Sequence, residues 1–102
     1  MRVISKKKLR DFYLAHPQAE IPLTEWYYIM HEINPANISE LRKVFNSADP
    51  VHGYTIFNIA GNKYRLVTAV HYNTQLCYVR QIWTHADYDK PMNKTKLKRG
   101  EL

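Results

Sequence analysis

The stretch WTHADYDK, residues 83–90, sets a histidine, a tyrosine, two aspartates and a lysine side by side, directly after the most strand-like run of the chain. Three chemistries can be written for it. His85, Asp87 and Asp89 form an H-x-D-x-D string, but alternating carboxylates seldom hold a metal without further His or Cys ligands, and His71 is the one nearby candidate in the strand region. No metal is expected here. Cys77 precedes His85 by eight residues, which raises a thiol nucleophile, yet its mid-strand position marks a small core residue. The third chemistry is cleavage of an RNA phosphodiester by general acid–base catalysis. It needs a base for the 2′-hydroxyl proton, an acid for the departing 5′-oxygen and cations for the charge that builds on phosphorus. Histidine titrates near neutrality, tyrosine donates or accepts, and arginine presents a fork to phosphate. His85 and Tyr88 stand three apart, so one helical turn sets them on the same side. Singly, these residues have ordinary uses as cap, anchor or surface charge. Together on a basic domain they rise above that reading. Asp87 reads as solvent-facing filler.

The cations must come from the strands before this stretch. Tyr54–Ile59, Lys63–Tyr72 and Gln75–Thr84 are rich in Val, Ile, Tyr, Phe and Thr and are separated by short polar connections, which predicts an antiparallel meander. Alternation along Lys63–Tyr72 puts Tyr64, Leu66, Thr68, Val70 and Tyr72 on one face and Lys63, Arg65, Val67, Ala69 and His71 on the other. The second set suits the solvated side of a half-covered sheet. Lys63, near a turn, fits that reading, whereas Arg65 lies inside the strand, where a shorter polar residue is easier to place. Alternation in the last strand groups Cys77, Val79 and Trp83 against Tyr78, Arg80, Ile82 and Thr84, and neither set is cleanly apolar. Arg80 is therefore either a site residue converging with Arg65 on a phosphate or half of a buried ion pair.

The first half of the chain reads as helical. A short strand over residues 1–4 leads to a helix over 6–16, capped by Ser5, with Leu9, Phe12, Tyr13 and His16 on one stripe. A second helix follows Pro22 with Leu23, Trp26, Met30 and Ile33 aligned, and Asn37 with Glu40 resembles a capping pair for a third. Asp49-Pro50 is a loop signal. The fold class is α+β in the order β-α-α-(α)-β-β-β, with helices packed on one face of a small twisted antiparallel sheet. Residues 1–90 form the single domain, and 91–102, lacking an apolar stripe, read as a basic, mobile C-terminal tail.

Charge is unevenly spread. The formal net charge of +6 is concentrated at the two ends, around Lys6, Lys7 and Lys8 and around Lys90 and Lys94, on segments available to a polyanion. The single cysteine excludes an intrachain disulfide and fits a reducing compartment, and no apolar run is long enough for a membrane span. A cytoplasmic protein without membrane association is expected.

At these residues the sequence resembles the HigB family of toxins from bacterial toxin–antitoxin modules. The resemblance is carried by FNIAGNKYRL (57–66), YVRQIWTH (78–85) and THADYDK (84–90), and by VISKKKLRDFYLAHPQAEIPLTEWY (3–27) and LRKVFNSAD (41–49) in the first half. It covers about residues 1–90 and implies the RelE-like toxin fold. It further implies a ribosome-dependent mRNA interferase, an endoribonuclease that cleaves translated mRNA without a metal or other cofactor and so arrests translation and growth. The matching positions are Asn62, Arg65, Arg80, His85, Tyr88 and Asp89. On this reading Arg65 and Arg80 grip the scissile phosphate, His85 and Tyr88 handle the protons, and Asp89 and Asn62 support them. Lys63, His71, Lys6, Lys7, Lys8, Lys90 and Lys94 are the expected RNA contacts. The wider superfamily often uses lysines and arginines where this chain has His85, so base and acid are not assigned. The implied partners are a HigA-type helix-turn-helix antitoxin, mRNA on the 70S ribosome, and operator DNA through the antitoxin. The alternative is a non-catalytic toxin or binding module that inhibits a target such as DNA gyrase, or acts mainly as a co-repressor with its antitoxin. A pure binder has no use for a His85/Tyr88 pair beside two arginines.

Overall fold

The computed structural model describes residues 1–102. Its elements run β1 (Arg2–Ile4), α1 (Lys6–Ala15), α2 (Glu20–Glu32), α3 (Ile38–Val44), β2 (Asp49–Val51), β3 (Tyr54–Ile59), β4 (Tyr64–His71), β5 (Leu76–Thr84), α4 (His85–Tyr88) and α5 (Pro91–Arg99). A 3₁₀ turn over Pro17–Ala19 joins the first two helices. The expected α+β architecture is present, and the antiparallel meander β3-β4-β5 forms its centre. The full sheet has five strands in the order β1-β5-β4-β3-β2. Its departure from antiparallel pairing is β1, which lies parallel to β5 with Val3 opposite Cys77. Asp49-Pro50, expected in a loop, opens strand β2 instead. His52 and Gly53, both at positive φ (50° and 87°), turn it tightly into β3. Pro50 is tolerated because β2 is an edge strand with one side free of the ladder.

The helices form largely where their stripes place them. Ser5 does not cap α1 through its side chain; it sits at φ 77° with no side-chain bond, and only its carbonyl accepts from the Lys8 N–H (2.9 Å). Leu9 is buried, and Phe12 stacks on His16 (4.4 Å) and meets Tyr64 edge-on (5.4 Å). Helix α2 begins before Pro22, which therefore lies in the first turn, where a missing N–H costs no intrahelical bond. Leu23, Trp26 and Met30 enter the core as the spacing predicts. Asn37 caps α3 by accepting from the Glu40 N–H (3.0 Å), while the Glu40 carboxylate accepts from Ala36 N rather than closing the box on Asn37. These helices cover one face of the sheet, where Phe57, Ile59, Tyr64, Leu66, Cys77 and Val79 lie in one buried cluster.

The opposite face is also covered, at one end. Tyr54, Ile56, Val67, Trp83 and Leu97 form a second buried cluster, with Val51, Tyr88 and Leu102 against it. Leu97 belongs to α5, so residues 91–99, expected to be a tail outside the fold, form a helix with a buried anchor. One buried leucine in nine residues leaves no stripe for periodicity to detect. Leu102 fastens the end, its N–H donating to the Tyr54 hydroxyl at 3.1 Å. A β-bulge in β5 explains its mixed pattern. Val67 pairs with Gln81 but Thr68 pairs with Val79, which leaves Arg80 over. Cys77 and Val79 thus face the helical core, whereas Trp83 faces the second cluster. Strict alternation, which groups these three together, does not allow for the bulge.

Candidate active site

Four residues after the bulge, β5 ends at Thr84, whose hydroxyl accepts from the Asp87 N–H (3.1 Å) and caps the single turn of α4. The turn is fixed to β4 as well, since the His85 N–H donates to the Lys63 carbonyl at 2.9 Å. That geometry delivers His85 beside Arg65, which projects from β4 opposite Trp83. Arg65 Nη2 lies 3.3 Å from His85 Nδ1, and Arg65 Nη1 donates to the Asn62 carbonyl at 3.1 Å. Guanidinium has no acceptor, so Nδ1 must be the acceptor and the ring proton of neutral His85 sits on Nε2. Nε2 faces Asp89 Oδ2 at 3.5 Å, one helical turn on. The imidazole is thereby held from both sides.

Tyr88 completes the group. Arg65 Cζ is 5.6 Å from its ring centroid on one contact, and Lys94 Nζ from α5 is 5.0 Å away on another. The ring also meets Trp83, with centroids 6.2 Å apart. Lys94 reaches Asp89 Oδ1 at 3.7 Å, so helix α5 supplies a cation to the same cluster. His85 and Asp89 are both more than half exposed, so these pairs orient the groups more than they stabilise the fold.

Several expected residues are placed otherwise. Arg80 does not turn to Arg65: its guanidinium lies over Tyr78, 5.1 Å from the ring centroid, and His71 meets the same ring edge-on at 5.5 Å. Nor is Arg80 half of a buried ion pair, since it joins no salt bridge. Asn62 serves Arg65 through its carbonyl, and its side chain accepts from Asn58 (3.4 Å). Lys63 is exposed at the turn. The Lys6–Lys8 run divides. Lys6 lies over Tyr27 (4.8 Å) and, with Lys7, lines a groove of about 520 Å³ between α1 and α2, whereas Lys8 Nζ reaches the Arg80 carbonyl (3.4 Å). That groove shares no residue with the His85 cluster.

Asp87 is not filler. Its carboxylate pairs with Lys90 at 2.9 Å and its carbonyl accepts from Asn93 Nδ2 at 2.7 Å, which joins α4 to α5. The hydrogen bond from Lys90, and then that from Thr84, hold its carboxyl below the usual carboxylate range. The Asp87-x-x-Lys90 spacing is the signal for the ion pair, as Thr84-x-x-Asp87 is for the cap. Nowhere do three His, Cys, Asp or Glu side chains converge as a metal set. Cys77 is fully buried, and burial pushes its thiol up to about 12, which removes the thiolate a nucleophile requires.

The arrangement is an imidazole flanked by an arginine and a carboxylate, with a phenol and a lysine beside it, on the open end of a basic sheet. Such a set can bind a phosphate and move protons next to it. Comparison with known proteins gives this chain a family. Residues 19–91 match the family described as HigB toxin, the RelE-like toxic component of a toxin–antitoxin system. A protein of Escherichia coli K12 named mRNA interferase toxin HigB is 30% identical over 104 residues, covering 97% of this chain and 100% of that protein. The mRNA interferase HigB of Shigella flexneri matches to the same extent, and that of Escherichia coli O6:H1 (strain CFT073) is 24% identical over 88% of this chain and 90% of its own. The chain belongs to the HigB toxin family.

Proposed function

We propose that this protein is the toxin of a toxin–antitoxin pair and acts as an mRNA interferase, an endoribonuclease that inhibits translation. The observation that carries this reading is the His85 cluster: a histidine held by Arg65 at Nδ1 and by Asp89 at Nε2, beside Tyr88. Each part has a task in strand cleavage. Arg65 binds the scissile phosphate through its fork and neutralises the charge that builds on the equatorial oxygens. In doing so it leaves Nδ1, the one ring lone pair of neutral His85, free to take the 2′-hydroxyl proton. The 2′-oxygen attacks phosphorus, the bond to the 5′-oxygen breaks, and Tyr88 protonates that leaving oxygen. Asp89 holds the His85 ring and steadies the imidazolium formed during attack. Lys94 keeps Asp89 and Tyr88 in register. Lys63 and Lys90, exposed around the cluster, hold flanking phosphates.

A full proton-transfer set leaves no task for a metal or other cofactor. The substrate we propose is translated mRNA on the ribosome, with a HigA-type helix-turn-helix antitoxin as the neutralising partner through which the pair reaches operator DNA, in the cytoplasm. The test is induction of the toxin followed by primer extension on cellular mRNA. Discrete cuts with the native protein, absent with a folded His85→Ala variant, are expected. Growth arrest with intact mRNA would overturn the nuclease reading in favour of inhibition by binding.

A further inference from the structure

The bulge that leaves Arg80 out of the ladder creates a second cluster on the same face of the sheet as Arg65. Tyr78 pairs laterally with Ala69, which shares its side of β4 with Arg65, Val67 and His71. Helix α5 covers this face over Trp83 and Val67, and Tyr78 belongs to neither apolar cluster. The ring is half-buried and flanked by two planar nitrogen groups, His71 edge-on at 5.5 Å and 86° and the Arg80 guanidinium 5.1 Å from the centroid. Lys8 adds an ammonium at the Arg80 carbonyl. Ala69, the lateral partner of Tyr78, lies four residues along β4 from Arg65, so the ring stands about 13 Å along the strand from the phosphate site.

An aromatic ring held upright by a histidine and an arginine, on a strand with cations to either side, has the composition of a base-stacking platform for single-stranded nucleic acid. We propose that Tyr78, with His71 and Arg80, is a stacking subsite for a base of the substrate RNA beyond the two nucleotides joined at the scissile phosphate. The assignment rests on the nuclease reading of the His85 cluster. Substrate then runs along the β4–β5 face, from Lys94 and Tyr88 at one end to Tyr78 and His71 at the other. Arg80 contacts a flanking phosphate rather than the scissile one. A base stacked at Tyr78 fixes the position of the strand relative to His85, so the nucleotide with the stronger stacking preference selects where the cut falls.

The test uses the full-length toxin and a short single-stranded RNA made resistant to cleavage by 2′-O-methyl groups, which block the attacking oxygen at each position. Binding is read by fluorescence anisotropy at low salt. Tyr78→Ala is expected to weaken binding about 5- to 150-fold, the range of one lost base stack. Tyr78→Leu, which keeps apolar bulk without a π face, should fall with it, and Tyr78→Phe should match the native protein. Removing one base at a time should give a comparable loss at one position, and that loss should vanish in Tyr78→Ala. Binding by Tyr78→Ala within twofold of native, or weaker binding to the antitoxin alone, overturns the subsite. Primer extension with His85→Ala reads the nuclease reading separately, since it does not depend on Tyr78.

Discussion

Arg65 Nη2 and His85 Nδ1 stand 3.3 Å apart, so the lone pair that could accept a substrate proton is occupied by the cation that would bind the substrate's phosphate. The two functions are thereby linked. In the proposed mechanism the arginine keeps the base engaged without RNA, and releases it once a phosphate occupies its fork. Neither residue can be replaced without disturbing the other, and single substitutions should be strongly non-additive.

His85→Ala should lower the cleavage rate about 10²- to 10⁴-fold, the usual range for a lost general acid or base. Arg65→Lys keeps the charge but loses the fork and should cost about 10- to 100-fold, the equivalent of a hydrogen bond to a charged group. Rates of the singles and the double variant, with thermal unfolding as a control for folding, check both. A double variant slower by the full product of the two would contradict the link.

Leu97→Ala should destabilise the protein by about 2–5 kcal/mol in urea unfolding, because Leu97 is the buried anchor of α5. Activity should fall beyond what unfolding explains, since α5 also brings Lys94 to Tyr88 and Asp89. An unchanged unfolding midpoint would show that the helix is not fastened as described.

Asp87 ties α4 to α5 through Lys90, and its carboxyl titrates below the ordinary value of 3.8. A carboxyl whose folded value is depressed contributes stability above its unfolded value and loses it as pH falls through the folded one. The difference in melting temperature between native protein and Asp87→Asn should therefore be constant near neutrality and shrink below pH 3.8. A difference that persists there would remove the ion pair as its cause.

Cys77 should be silent to thiol reagents in the folded protein at neutral pH, because burial both shields it and holds its thiol protonated up to about 12. Titration with a chromogenic disulfide should show no reaction until denaturant is added. Prompt native reactivity would mean the β1–β5 seam opens readily.

Much of this was readable from the chain because local chemistry and long-range packing agree. The stripe of Leu23, Trp26 and Met30 and the alternation of Tyr64 and Leu66 each point to the core they enter. His85, Tyr88 and Asp89 were legible because a single helical turn depends only on spacing and on the Thr84 cap. What escaped depends on distant partners. Leu97 gives α5 its one buried contact, and no period announces it. Pro50 looks like a breaker until β3 supplies an edge for β2 to occupy. Arg80 lies at the extra residue of a bulge, an event that alternation cannot foresee because it breaks alternation.

That extra residue shifts the phase of the strand. Before it, β5 sends Cys77 and Val79 toward the helices; after it, Trp83 points away from them. Since α4 continues directly from β5, the shift also decides on which side of the sheet His85 emerges. A chain one residue shorter at this point would keep every side chain of the proposed nuclease group and still disperse it, with the imidazole delivered under the helices and Arg65 left alone on the open face. The cut site is thus written partly in a residue count, and a single-codon deletion would be a more complete detoxification than most substitutions.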